Sequence, residues 1–390
     1  MLTFKIKQKT TLTIILLGIL VVIPILFSAT NSLGIPYFAR KHDLKCNTCH
    51  VIPPKLNQFG ENFRADFYKL PVPKPTKTTW PFALWITQRV ESQHSKDFNK
   101  TFPNRVEVIS GGTIGETPLS YFVEWRVVSL ETRSDGDLKD RSGRFEDLFF
   151  NYAITDSFTV QLGQFRLLKQ VDNSLKLGLS TPTVIGAKIA GDKSGDPRET
   201  SLRAFASSNR SPGISIQHQA IRGKNAADGW FNIISLPFPG EFSIPLTDEA
   251  RDEASFEFEL EPKGIFLESF YRFGLSSIGG HLFVDDDRTM GSVLGVYNIG
   301  YWFSTIGIGF GNEDGKDANL RFSWENELIP MKYFSIGARI DHQTNVENGT
   351  AFIPNINLTW PLTKWTFRLV IEQRVQDGNY ATLGELSVIF

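Results

Sequence analysis

The stretch Phe334-Ser335-Ile336-Gly337-Ala338-Arg339-Ile340-Asp341 sets Phe, Ile, Ala and Ile at every second position against Ser, Gly, Arg and Asp. A β-strand turns successive side chains to opposite faces, so a period of two gives one apolar and one polar face. The same pattern recurs on both sides of this stretch. Residues 119–131 set Tyr121, Val123, Trp125 and Val127 against Glu124 and Arg126. Residues 254–261 set Phe256, Phe258 and Leu260 against Glu257, Glu259 and Glu261. Residues 364–375 and 380–390 behave alike.

A soluble β-sandwich also alternates, so periodicity alone leaves two all-β architectures open. Three further features point to a transmembrane antiparallel β-barrel. Strands of about ten residues recur, the length that crosses a membrane at a tilt. Aromatics gather at strand ends (Trp80, Trp85, Tyr301, Trp302, Trp360 and Trp365), as in interfacial girdles. Leu386, Val388 and Phe390 give an ending similar to the assembly signal of bacterial outer-membrane proteins. The fragment Gln161-Leu162-Gly163-Gln164-Phe165 is similar to a strand of anion-selective porins. At roughly 19 residues per strand and connection, residues 80–390 give about 16 strands, with 14 to 18 as bounds. Such a lumen is wide enough for a plug. Residues 133–144, 168–182, 192–199 and 236–254 are polar or rich in Pro and Gly and are expected as loops.

The chain of 390 residues contains 32 Phe, 8 Trp, 9 Tyr and 32 Gly but only three Met, which suits strands and tight turns. Its formal charge of -1 gives no basic excess, so no nucleic-acid partner is expected. No nucleophile triad, phosphate loop or paired catalytic carboxylate stands out. The run Asp285-Asp286-Asp287 reads as a solvated turn before it reads as a cation site.

The two cysteines of the chain lie in Cys46-Asn47-Thr48-Cys49-His50, the C-x-x-C-H pattern of c-type haem attachment. Thiols at i and i+3 on one turn can each form a thioether with a haem vinyl group, and the next imidazole then serves as proximal iron ligand. A redox C-x-x-C needs no adjoining histidine and prefers a βαβ context. A zinc site normally needs about four ligands, and no second Cys or Cys/His pair with matching spacing exists. One covalent haem c is therefore expected. Lys5, Lys7 and Lys9, then an apolar run from Leu12 to Ala29, then Ser32-Leu33-Gly34 follow the order of a secretory signal peptide over 1–34. A retained anchor is the alternative, because 18 residues border on spanning length. Either way His50 is exported.

Leu56, Phe59, Phe63, Phe67 and Leu70 recur at spacings of 3, 4, 4 and 3, predicting one face of a helix of about four turns that would cover the porphyrin. Pro71, Pro73 and Pro75 stop it and make a stiff linker over 71–79, between a haem segment at 35–70 and a barrel at 80–390. Taken as a unit, Phe38-Ala39-Arg40, Cys46-x-x-Cys49-His50, Pro54-x-Leu56, Phe59-Gly60 and Phe63 resemble the N-terminal cytochrome of the fused outer-membrane monohaem cytochrome–porins, a family with iron-oxidising members. Glu61 stands where that family usually carries Arg. The resemblance implies a small haem domain in or against a porin barrel, with Phe38, Arg40, Pro54, Leu56, Phe59 and Phe63 around the cofactor. It also implies electron transfer across the outer membrane, from an extracellular reductant such as Fe(II) to a periplasmic cytochrome, and hence an Fe(II):cytochrome c oxidoreductase.

No methionine lies between residues 2 and 289, so a His/Met pairing from a nearby loop is excluded. His42 and His94 are the alternatives for the sixth position, His218, His281 and His342 sit on predicted strands from which they would reach inward, and a five-coordinate or water-bound iron stays open. Two other functions stay open: a diffusion porin whose haem is a sensor or structural plug, and a periplasmic haem peroxidase-like β protein.

Overall fold

The computed structural model describes residues 36–42, 44–69, 80–91, 102–132, 138–185, 210–223, 225–238, 240–248, 250, 261–262, 264–286, 288–313, 318–344, 349–361, 366–376 and 379–390. The expected signal peptide, the Pro-rich linker, His94, Trp365, Asp287, the alternating segment at 254–260 and the loop at 192–199 lie outside the described residues.

The chain begins with helix α1 (Pro36–His42) and the single turn α2 (Cys46–Cys49), followed by two short strands, β1 (His50–Ile52) and β2 (Lys55–Leu56), and helix α3 (Gln58–Ala65). The first wall strands are β3 (Ala83–Glu91), β4 (Arg105–Thr113), β5 (Leu119–Thr132), the short β6 (Leu138–Asp140), β7 (Phe145–Thr155), β8 (Phe158–Arg166) and β9 (Arg210–Arg222). Next come β10 (Gly229–Pro237), β11 (Ile265–Phe273), β12 (Ser276–Val284), β13 (Arg288–Ile299) and β14 (Trp302–Glu313). The last are β15 (Asn319–Met331), β16 (Phe334–Gln343), β17 (Thr350–Pro361), β18 (Thr366–Gln376) and β19 (Asn379–Ile389).

Among the described residues sixteen of these strands form one closed antiparallel barrel. β5 pairs directly with β7, and three-residue β6 adds a short flap on β5. β19 pairs with β3 to close the ring, Ile389 opposite Trp85 and Leu383 opposite Glu91. A closed ladder leaves no unpaired strand edge, the condition for crossing lipid with strands.

The alternation is inverted relative to a water-soluble core. In β16, Ser335, Arg339 and Asp341 are 0–3% exposed, whereas Ile336 and Ile340 are 39% and 38% exposed. Val293, Ile308 and Leu320 likewise point outward, and Glu325, Glu327, Asn357 and Glu372 point into the lumen. The β-sandwich, and with it the peroxidase-like soluble protein, is therefore set aside: a sandwich buries its apolar face between two sheets, and here one closed sheet turns that face outward. Val293→Arg, on the outer face midway along β13, is expected to lower barrel stability in lipid vesicles by about 2–4 kcal/mol. Urea unfolding checks this, and an unchanged midpoint would rule out lipid contact at Val293.

Two-residue turns at 156–157, 274–275, 300–301 and 332–333 mark one end of the barrel, and β5, β8 and β10 end at the other, where longer connections begin. The stretch expected as a loop at 168–182 is irregular but folds into the lumen, where wall side chains bind its backbone. Glu268 accepts from the N–H groups of Lys169 (2.9 Å) and Gln170 (2.7 Å), Glu327 from Leu177 (2.6 Å), and Glu372 from Leu179 (2.7 Å) and Ser180 (3.1 Å). Arg339 and Arg368 donate to the carbonyls of Ser180 (2.8 Å) and Leu177 (2.6 Å). Buried carboxylates and guanidinium groups thus saturate a backbone that would otherwise be unpaired.

The N-terminal segment packs against the lumen wall near the short-turn end. Arg40 donates to the Phe82 carbonyl at 2.7 Å, and Gln58 and Asn62 bond to Asp228 and to the Ala227 N–H in the β9–β10 turn. The Thr359 hydroxyl donates to the Pro53 carbonyl at 3.2 Å, Glu61 pairs with Arg272 at 3.0 Å, and Lys55 pairs with Glu327. The predicted helix is shorter than its apolar spacing suggested. α3 covers eight residues, because Phe67 and Tyr68 adopt positive φ (53° and 63°) and fold the chain back, so that the Tyr68 N–H bonds to the Phe63 carbonyl.

Candidate functional site

α2 carries Cys46 and Cys49 on one turn, and His50 begins β1 immediately after it. The two cysteines are not joined in a disulfide. Cys46 is buried, its Sγ 3.9 Å from Thr366 Oγ1 of β18, whereas Cys49 and His50 face a cavity of about 330 Å3. That volume falls within the range of small-molecule sites, about 300–1,000 Å3.

Two local interactions hold the turn in place. His50 Nδ1 lies 3.1 Å from the Pro54 carbonyl, so that nitrogen carries the proton and Nε2 is the nitrogen with a lone pair to offer. Burial pushes the His50 pKa down to about 4, against the pull of the Pro54 and Lys55 carbonyls, so the ring is neutral near pH 7. Behind the turn, α3 approaches through Gly60. A Cβ there would stand 2.2 Å from the Cys49 carbonyl oxygen, so only glycine allows this contact. The Asn57 side chain caps α3 by accepting from the Gly60 N–H at 3.0 Å.

Of the residues the sequence associates with the site, Phe38, Pro54, Leu56 and Phe63 line the cavity together with Cys49 and His50. The Phe38 and Phe63 rings meet edge to face at 5.0 Å, and Tyr68 stacks on Phe38 at 5.3 Å. Two expectations are corrected. Phe59 is 40% exposed and stands away from the cavity, because the Gly60–Cys49 contact sets the rotation of α3. Arg40 points to the Phe82 carbonyl, being two residues beyond Phe38 and so on the other side of α1.

His42 shares the helix face of Phe38, and its ring lies 6.3 Å from the Phe63 ring. Both of its nitrogens are buried, without a hydrogen-bond partner among the described residues. It does not itself border the cavity. Among the strand histidines only His281 is inward-facing, hydrogen-bonded to Ser292 at 3.0 Å. His218 stacks beside exposed Phe158, and His342 is exposed and bonds to Thr350, both out of phase with their buried neighbours Gln219 and Asp341. Asp285 bonds to the N–H and guanidinium of Arg288 within its turn, and among the described residues no group of three or more His, Cys, Asp or Glu side chains converges as a metal site.

The other boundary of the cavity comes from residues that the motif reading missed: Phe122, Phe149, Gln161, Lys169 and Asp172 on the wall and the inward loop. Tyr68, Phe122 and Phe149 stack in series at 5.4 and 5.7 Å. Asp172 joins α3 to the loop through Arg64 (3.0 Å) and Arg166. Burial would raise its carboxyl, but the two guanidinium groups hold it below the ordinary carboxylate range. Burial also pushes the Cys49 thiol up to about 11, aided by Cys46, which is the reverse of what a reactive dithiol needs. Cys49 and a neutral imidazole with one free nitrogen border the cavity, and Cys46, one turn back, lies beside Thr366, which also lines it; these residue types fit a haem, with Cys46 having to turn its sulfur to the ring.

No protein-family model matches the chain, and no curated protein matches it. Solved structures with a similar course of the chain include the anion-selective porin of Comamonas acidovorans, at 12% identity and TM-score 0.45, covering 79% of this chain and 97% of that one. The outer-membrane expressed OmpT of Vibrio cholerae aligns at 10% identity and TM-score 0.45, over 80% and 99%. The outer membrane channel DcaP of Acinetobacter baumannii aligns at 10% identity and TM-score 0.43, over 79% and 96%.

Proposed function

We propose that this protein spans the bacterial outer membrane and transfers electrons through one haem c, tethered at Cys46 and Cys49 with His50 as proximal ligand, held by an N-terminal plug inside the barrel. The observation that carries this reading is the Cys-x-x-Cys-His turn bordering a cavity within a closed barrel. When bound, the haem supplies a one-electron ferric/ferrous couple. The chain's own residues do the rest: Pro54 orients His50, Phe38, Phe63 and Tyr68 give the cavity an apolar side, and burial together with nearby charge sets the potential. For the sixth position His42 and His94 stay the candidates; His42 has two ring nitrogens without a hydrogen-bond partner among the described residues but would have to turn toward the cavity, which it does not border.

The short turns of outer-membrane barrels face the periplasm, so a plug at that end suits handover to a periplasmic electron-carrier cytochrome. The donor would approach from the long-loop side, ferrous iron being the one implied by the resemblance of the N-terminal segment. Rapid mixing of the purified protein with ferrous salt is expected to bleach the ferric haem spectrum and raise the ferrous one. No reduction from acidic to neutral pH would remove iron as donor.

A second reading is a diffusion porin with a haem plug. It is favoured by the polar lumen, where Arg126 lies between Glu107 and Glu146 at 2.8 Å each. Steady ion conductance in planar bilayers, with the haem segment in place, selects this reading over a closed electron conduit.

A further inference from the structure

A haem tethered by its vinyl edge turns its two propionates to the opposite edge of the ring. With the thioethers on α2, those carboxylates would need partners on the side of the cavity formed by the barrel wall and the inward loop. Carboxylates entering a partly desolvated space require cationic or N–H partners. The cavity is bordered by six cationic side chains: Lys45, Arg64, Arg166, Lys169, Arg272 and Arg368.

Four of these are committed elsewhere. Arg64 holds Glu61 and Asp172, Arg166 holds Asp172, Arg272 holds Glu61, and Arg368 donates to the Leu177 carbonyl and Asn357. Lys45 is exposed and adjoins Cys46, at the tethered edge. Lys169 differs from all of them. Its ammonium makes one hydrogen bond, to Gln161 Oε1 at 2.8 Å, and among the described residues no carboxylate lies within ion-pair distance of it. The Phe165 ring lies beneath it at 4.7 Å. An ammonium has three protons to donate, so donors remain unspent on a cation held inside the barrel. Glu268 holds its backbone N–H, which fixes where the side chain starts, and Gln161 and the Phe165 ring hold its end. Burial pushes the Lys169 pKa down to about 8, despite the carboxylates of Asp147, Glu268 and Asp172 at longer range. This is the behaviour of a cation that lacks a close counter-charge.

We propose that Lys169 binds a propionate of the haem, so that the inward loop completes the cofactor site that the N-terminal segment begins. The assignment rests on the haem reading above.

The test uses the full chain purified in detergent, with potentiometric titration followed by haem absorption and with resonance Raman spectra of the propionate-bending band. Losing a positive charge beside the haem favours the ferric form. Lys169→Gln is therefore expected to move the ferric-to-ferrous ratio at fixed ambient potential by roughly threefold to tenfold, up to about 59 mV for a one-electron couple. The propionate band should shift, and the bands that report axial ligation should not. Lys169→Arg should restore the wild-type values. If Lys169→Gln loses haem while Lys169→Arg keeps it at the wild-type potential, the requirement for a cation is upheld. An unchanged potential and Raman band in haem-loaded Lys169→Gln overturns the assignment, as does haem loss in both variants or altered axial bands, which would make Lys169 an iron ligand. Wild-type protein without covalent haem brings down the underlying reading as well, and is recognised separately by haem staining.

Discussion

With Cys46 and Cys49 both replaced by serine, the exported chain is expected to show no haem stain after denaturing electrophoresis, whereas the wild type stains at full intensity. Each thioether needs a thiol, and those of α2 are the only two in the sequence. His50 would remain oriented by Pro54, but a single axial bond does not survive denaturation. The wall should still form, because the segment is joined to it through Arg40, Lys55, Glu61 and Pro53 and not chiefly through sulfur. Heat-modifiable electrophoretic mobility reports barrel formation independently of haem. Persistent stain in the double variant would end the cytochrome reading and leave a barrel with an N-terminal plug of another kind.

The second large effect concerns the inward loop. Arg339 is 2% exposed and bonds to Asp341 at 2.9 Å, to the Ser180 carbonyl at 2.8 Å and to the Ser180 hydroxyl at 2.7 Å. Arg339→Ala leaves Asp341 with less compensation and cuts two anchors of the loop. Breaking a buried charge pair from one side costs about 3–5 kcal/mol when it is fully desolvated, and a hydrated lumen reduces this. The expected result is a released loop: higher conductance in planar bilayers and faster proteolysis between 167 and 185, with covalent haem retained. Conductance and proteolysis equal to wild type would mean that Glu268, Glu327 and Glu372 suffice to hold the loop. The same experiment bears on the porin reading, since a lumen narrowed by this loop admits less solute than the barrel alone would.

The wall was legible because a strand in a closed barrel couples every second side chain to lipid, and segments such as 334–341 carry that signal in full view. The expected sixteen strands match the sixteen that close the described barrel. The motif at 46–50 was equally open to reading, since its spacing belongs to one helical turn. Other features depend on contacts between residues far apart. Nothing near 168–182 announces that it turns inward; the instruction sits in Glu268, Glu327, Arg339, Arg368 and Glu372 on four other strands. Lys169 and Asp172 were invisible as site residues for that reason. Phe59 was assigned to the site by helical spacing, yet the approach of Gly60 to the Cys49 carbonyl decides which way the helix faces. The helix end was hidden as well, because Phe67 and Tyr68 take a backbone conformation that their side chains ordinarily avoid.

The burial of Cys46 against Thr366 imposes an order on how the molecule is made. Thr366 opens β18, and β18 with β19 completes the wall beside β3, about 320 residues along the chain from the cysteine turn. Any group attached to that sulfur must be in place before those strands seal the cylinder, because afterwards the sulfur faces a finished wall. For the haem proposed above, attachment at Cys46 would therefore have to precede closure of the wall, since the residue is 1% exposed once the ring is complete.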